Sequence, residues 1–359
     1  MVGAATTPLN VLFIVNDDLR PMIKKLHPDK FPQMVTPKFD ELMADSLTLK
    51  NSHVQFAECG PSRASFMFGR RPDSTKVYDL YDNPREIMCA TCKTIPQIFT
   101  EAGYTTVGMG KLFHDGHASN NSDPISWTDF NGTTTGNNFF MGEEYYPSNG
   151  GNTSWMAIDE TVTGLTRDSQ VRDNAIEWMR NLTKEQQASS DPEPFFLGVG
   201  FRKPHLPFIV PKEFYDMYPE EEITLAANPY APRNMPTVAY ASWELQSYGD
   251  VEALNFTGKI NETLVDWKAR EEVRGYQAAL SYTDHNVGML VQELKDLGIW
   301  DSTVIMFAGD HGWKVRIQRA SDSACEEKRR AEELTVWRSL EITGRGASIP
   351  TFGMIPIAR

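Results

Sequence analysis

The chain has 359 residues, 40% of them apolar and 23% charged, which is enough for one large α/β domain and excludes the disordered and collagenous classes. The formal net charge of −13, with no Lys/Arg block before the carboxy-terminal segment, argues against a nucleic-acid partner. No apolar run reaches membrane-spanning length, so no membrane span is expected.

Short apolar runs alternate with helical patterns along the chain, the form taken by a mostly parallel central sheet with helices on both faces. Asn10 to Asn16 reads as a buried central strand, and Asp17-Asp18 follow it. Phe39, Leu42 and Met43 share one helical face. Pro61 and Ser62 mark a helix start that places Cys59 beside the positive end of that helix. Ile95, Ile98 and Phe99 share another helical face, closed by Gly103. Tyr104 to Met109 is the next strand, and Asp115 to Gly151, rich in Gly, Asn, Ser and Thr, reads as a long surface excursion. Phe195 to Phe201 and Thr303 to Ala308 are further strands. Between those two lies the longest expected helix, about Val265 to Leu297, with Val287, Leu290, Val291 and Leu294 in helical spacing and Gly298 at its end. Lys314 to Arg359 is crowded with Arg and Glu, and no strand is expected there.

In an open α/β sheet the site lies beyond the carboxyl ends of the strands. Asp17-Asp18 and Asp310-His311 both follow strands, and clustered oxygens of this kind suit a hard cation such as Ca²⁺ or Mg²⁺. An isolated Asp-Asp pair more often caps or turns the chain. Cys59 alone reads most simply as a buried cysteine before a helix, although backbone amides there favour an anion. Of the other cysteines, Cys89 and Cys92 form a Cys-Ala-Thr-Cys pair without the second pair a structural zinc site needs; a local disulfide or two idle thiols is the simpler reading.

Cys59-Gly60-Pro61-Ser62-Arg63 carries a more specific signal, because Cys-x-Pro-Ser-Arg is the core at which sulfatases have a cysteine oxidised to formylglycine. From VNDDLRP at Val15, through GKLFH at Gly110 and FRKPHLPF at Phe201, to GDHGW at Gly309, the chain resembles the sulfatase family of the alkaline-phosphatase superfamily. The resemblance implies the alkaline-phosphatase-like sulfatase fold and hydrolysis of sulfate esters of sugars, with uronate 2-sulfates of glycosaminoglycan type as the substrate class. It implies a metal shell of Asp17, Asp18, Asp310 and His311 around the modified Cys59, and a formylglycine-generating enzyme as partner. Arg63 and Lys111 resemble the residues that hold the modified side chain and its sulfate, while His114 and His205 resemble the proton-transfer pair. Lys203 is expected to be a pocket-edge or surface cation without a catalytic role.

The resemblance departs from the family pattern at two places. Met67-Phe68-Gly69 stands where the family has Leu-Thr-Gly, and after Trp313 neither the Gly-Glu-His stretch nor the later sulfate-holding lysine is recognisable. Residues 1–313 therefore read as a catalytic domain incomplete at its carboxy-terminal side, and 314–359 as a divergent tail of the kind a frameshift or alternative splice produces. The small carboxy-terminal domain is not recognisable. Two other classes remain open: a catalytically impaired glycan-binding relative, and a phosphodiester or phosphonate hydrolase of the same superfamily. Sequons at Asn120, Asn131, Asn152, Asn181, Asn255 and Asn261 point to a glycoprotein, lysosomal or secreted, although no signal peptide is visible.

Overall fold

The computed structural model describes residues 8–114, 123–128, 139–140, 142, 152–189, 193–226, 229–231, 234–236, 244–260, 262–312 and 353–356. Its strands are β1 (Asn10–Asn16), β2 (Ser46–Leu49), β3 (Thr105–Gly110), β4 (Phe139–Phe140), β5 (Trp155–Ile158), β6 (Phe195–Phe201), β7 (Phe208–Pro211), β8 (Thr303–Gly309) and β9 (Gly353–Pro356). Seven of them form one sheet in the order β2-β9-β8-β1-β6-β3-β4, while β5 and β7 pair separately. Neighbours from β8 across to β4 are parallel, and β9 runs antiparallel to both β8 and β2.

β1 is buried on both faces and along its whole length, because it lies between β6 and β8 in the middle of the sheet. Its side chains alternate with the pleat. Leu12 and Ile14 enter the larger core, formed with Phe39 and Leu42 of the helix Pro37–Ala44, Val171 and Met179 of the helix Arg167–Ala188, and Leu290 and Leu294 of the helix Asp266–Asp296. Val11, Phe13 and Val15 enter a second core with Met67, Phe68, Phe113 and Trp127. The sheet is therefore covered on both sides, as the alternation of runs requires.

The 31-residue helix Asp266–Asp296 has the expected span, and Gly298 follows it at φ +70°. The helix Ile95–Glu101 starts with a capping box between Thr94 and Gln97, and Gly103 beyond it has φ +86°. Two expectations need correction. Asp123, Ser126 and Trp127, in the stretch read as a surface excursion, are buried, because Trp127 packs on Phe113 and Phe196 and Arg85 ion-pairs with Asp123 at 2.6 Å. Most of the other residues between Asp115 and Gly151 lie outside the described residues. The tail contributes β9, whose four residues are too few to show a period and close on a proline; the chain beyond Gly312 is otherwise outside the described residues.

Parallel register brings the carboxyl ends of the central strands level, with Asn16 opposite both Phe201 and Gly309, and Gly110 opposite Gly200. The Asp17 amide donates to the Phe201 carbonyl at 3.1 Å, the Asp310 amide to the Asn16 carbonyl at 3.1 Å, and the Lys111 amide to the Gly200 carbonyl at 2.8 Å. The last approach needs a bare α-carbon: a methyl group on Gly200 would lie 2.1 Å from the Lys111 carbonyl oxygen. Gly200→Ala is expected to destabilise the fold by about 3–5 kcal/mol, the upper range for a single substitution, because backbone and not a flexible side chain must move. Urea denaturation of the variant beside the parent checks this, and a loss below about 1 kcal/mol would contradict it.

Candidate active site at the carboxyl end of the sheet

The helix Cys59–Met67 starts two residues before the expected Pro61, with Glu58 extended ahead of it. Pro61 falls in the first turn, where its missing N–H is not needed. Cys59 is thus the first helical residue, and the helix is fixed from below by the Ser62 hydroxyl, which donates to the Asp310 carbonyl. Cys59 is buried, with Sγ 3.1 Å from His311 Nε2, 3.4 Å from Asp17 Oδ1 and 3.8 Å from Lys111 Nζ.

Arg63, one turn further along, is fully buried and distributes its guanidinium over both strand ends. Nε donates to Asp310 Oδ2 at 2.9 Å, Nη2 to Asp17 Oδ1 at 3.1 Å, and Nη1 to the carbonyls of Lys111 and Leu112. Lys111 Nζ donates to the other Asp17 oxygen. The Asp18 amide and the His311 amide donate to Asp310 Oδ1 at 3.0 and 2.8 Å, and His311 Nδ1 lies 2.9 Å from Asp18 Oδ1. Asp18 has a left-handed backbone, φ 58°, a conformation aspartate tolerates better than most residues.

Burial opposes charge on every member of this group, and the neighbours decide the outcome. Asp17 is held well below the usual carboxylate range because Lys111, His205 and Arg63 outweigh its burial. Burial raises Asp310 to about 6 despite His311 and Arg63. The Cys59 thiol is pushed up to about 12 by burial and by Asp17, so it carries no thiolate at neutral pH. His311 goes the other way: Asp310 and Asp18 outweigh burial and raise it.

His205 approaches from the loop after β6. Its Nε2 is 3.8 Å from Asp17 Oδ2, 3.9 Å from Asp18 Oδ2 and 3.5 Å from Glu244 Oε1. Nδ1 faces the Leu206 carbonyl, which accepts its proton and assigns Nε2 as the unprotonated nitrogen of the neutral ring. Burial lowers His205 to about 4. His114 lies three residues beyond Lys111 on the strand-end segment of β3 and is half-buried. Lys203 corrects its expectation: it is buried, and its ammonium donates to the Pro207 carbonyl at 2.7 Å and the His205 carbonyl at 3.3 Å. It braces the His205 loop from inside, while Asp168 accepts the Arg202 and Lys203 amides at 2.8 Å each.

Three groups at the site were not legible beforehand. Glu244, raised to about 8 by burial and by Asp18 and Asp17, lies in a stretch with no periodic pattern. Tyr276 accepts the Arg20 amide and donates to the Asp18 carbonyl, each at 2.8 Å, but in sequence it is one more aromatic on the core stripe of the long helix. Ser62 reads in sequence as part of a helix start, and only the fold reveals its bond to Asp310.

One oxygen donor each from Asp17 and Asp310, the Cys59 sulfur and a His311 nitrogen lie within 4.8 Å of one another. Among the described residues the buried Asp18 Oδ2 has no hydrogen-bond partner, and the fixed cations Arg63 and Lys111 pair with Asp17 and Asp310 while Asp18 meets His311 and His205. A divalent cation with oxygen preference fits this donor set and its negative excess.

A mostly parallel central sheet with helices on both faces is that of the alkaline-phosphatase-like α/β fold. Phosphonate monoester hydrolases from Silicibacter pomeroyi and Agrobacterium radiobacter share it at TM-scores of 0.64 and 0.62, with 16% and 17% identity, over 97% of this chain and 67% and 68% of theirs. The sulfatase family model matches residues 9–334, and the chain belongs to the sulfatase family. Iduronate 2-sulfatase of Homo sapiens is 37% identical over 331 residues, covering 87% of this chain and 56% of that protein. A sulfatase of Formosa agariphila is 30% identical over 326 residues, covering 85% and 59%. The chain thus spans little more than half the length of these relatives.

Arg63→Met keeps the volume but leaves Asp17 and Asp310 without their shared counter-charge, and is expected to cost about 3–5 kcal/mol of stability. Chemical denaturation measures this. A loss within about 0.5 kcal/mol would show that the buried carboxylates do not depend on the guanidinium.

Proposed function

We propose that this protein is a sulfuric ester hydrolase for sulfated sugars, with uronate 2-sulfates of glycosaminoglycan type as its substrate class, acting after a formylglycine-generating enzyme has oxidised Cys59. The observation that carries this reading is the convergence of Asp17, Lys111 and His311 on the Cys59 side chain within 3.8 Å, on a helix start that favours anions. As a thiol, residue 59 is held protonated and makes a poor nucleophile. As a hydrated aldehyde it supplies one hydroxyl to attack sulfur and a second to expel the bound sulfate. A divalent cation, Ca²⁺ or Mg²⁺, held by Asp17, Asp18, Asp310 and His311 with residue 59, supplies Lewis-acid stabilisation of the sulfuryl charge.

The chain's own residues do the rest. Arg63 and Lys111 offset charge at the sulfuryl oxygens, and Arg63 keeps the helix start in place through the carbonyls it binds. His205 exchanges its proton at Nε2, since Nδ1 is committed to the Leu206 carbonyl. Its ring is neutral until an anionic sulfate ester approaches, which favours the protonated form needed to release a sugar alkoxide. His114 is assigned the proton of the second hydroxyl. Asn152, Asn181 and Asn255, each the first residue of a sequon, are exposed, which supports glycosylation on a lysosomal or secretory route.

Sulfate release from a 2-sulfated uronate disaccharide, followed with the mass of the tryptic peptide Asn51–Arg63, tests the reading. Aldehyde at residue 59 and sulfate release are expected together. Confirmed aldehyde with glycan binding and no turnover would sink the hydrolase and leave a binding protein. His205→Gln is expected to lower kcat on sugar sulfates by about 10²–10⁴ and to affect aryl sulfates less, since their leaving group needs no proton. Equal losses on both substrates would remove His205 from the acid role. Removing divalent cations with a chelator is expected to abolish turnover and lower the unfolding temperature, and saturating Ca²⁺ at about 100 Kd is expected to restore about 2.7 kcal/mol.

A further inference from the structure

Cys89 and Cys92 lie outside the cluster around Cys59, and nothing in the proposed hydrolysis uses them. Both are free thiols and only half-buried. They occupy one tight turn, closed by the Cys92 amide donating to the Cys89 carbonyl at 3.3 Å, which sets the two thiols at the two ends of the same turn. Thr91 Oγ1 is 3.6 Å from Cys89 Sγ. The turn is held from beneath. Arg85 donates to the Cys92 carbonyl, forks across both oxygens of Asp123 at 2.7 and 2.6 Å, and stacks over Phe68 at 4.9 Å.

We propose that Cys89 and Cys92 form a thiol–disulfide exchange site whose reaction partner is a low-molecular-weight disulfide of the glutathione type. Cys89 is the attacking sulfur, because the Thr91 hydroxyl lies against it and can stabilise negative charge on it. The consequence is a Cys89 thiol lowered to about 7, first by the Cys92 hydrogen bond and then by Thr91, while Cys92 is raised. Its thiolate displaces one thiolate from the incoming disulfide and forms a mixed disulfide. Cys92, deprotonated, then attacks Cys89 Sγ, expels the second thiolate and closes the internal S–S bond. Two electrons pass from the dithiol to the disulfide, which leaves as two thiols, and the two protons go to solvent or to those thiols. Metal binding is the weaker use of the pair, since among the described residues no further Cys, His, Asp or Glu forms a donor group with it.

Trypsin cuts after Arg85 and Lys93, so the peptide Glu86–Lys93 carries these two cysteines and no other. The folded full-length protein is equilibrated in glutathione buffers of graded composition, quenched with acid, alkylated and digested. The expected result is one reversible transition in this peptide, from two alkyl adducts to none with the loss of two hydrogens. In Cys92→Ser the glutathione adduct at Cys89 should persist, and in Cys89→Ser the rate of adduct formation should fall by about tenfold or more. Two alkyl adducts in excess oxidised glutathione, a stable mixed disulfide in the parent protein, or a closed bond that excess reduced glutathione leaves intact would each overturn the proposal. Sulfate release is a separate readout, so failure here leaves the hydrolase reading standing.

Discussion

The site depends on the burial of three carboxylates at one place. Asp17, Asp18 and Asp310 are all within 2% of full burial, and such a group is stable only if cations and amides surround it. Arg63 bridges two of them, since one planar guanidinium reaches both Asp17 and Asp310 and ties them to the Lys111 and Leu112 carbonyls. A lysine could not span the same partners with one ammonium. The same arrangement explains why Arg63 and Lys111 are buried at all: the acids that they neutralise are also the donors that suit a hard cation.

Backbone geometry delivers these groups to one place. The neighbouring strands β8, β1, β6 and β3 end level, and the segments that follow β8, β1 and β3 are each pinned by an amide to the neighbouring strand. The glycines at 110 and 200 allow the Lys111 segment to lie against β6 without an intervening side chain. The His205 loop is positioned separately, by Asp168 from the helix Arg167–Ala188 and by the buried Lys203 ammonium. Two independent supports thus hold the Cys59 side and the His205 side.

Much of the fold was readable because continuous apolar runs such as NVLFIVN have a simple physical cause, burial on both faces of a central strand. The long helix was readable from its stripe and closing glycine. The helix Arg167–Ala188 was not, since charges crowd its outer face and hide the stripe of Val171, Ala175, Ile176 and Met179. β5, β7 and β9 have four residues each, too few for a period. At the site, residues directly after apolar runs, or within a recognisable motif, were accessible to reasoning. Lys203, Glu244 and Tyr276 were misread or missed because their positions are set by tertiary packing that no local spacing reports.

β1 and β8 are paired residue by residue although nearly three hundred positions separate them. A chain emerging from the ribosome therefore makes β1 long before β8 and leaves one of its edges open in between, with Asp17 and Asp18 beside it and no Asp310 to receive the Asp18 amide. Closure of that edge is a long-loop event, among the slowest classes of contact to form. Whatever this site does, its ability to do it arrives only once β8 has been made, as a property of the assembled sheet and of no fragment that lacks β8.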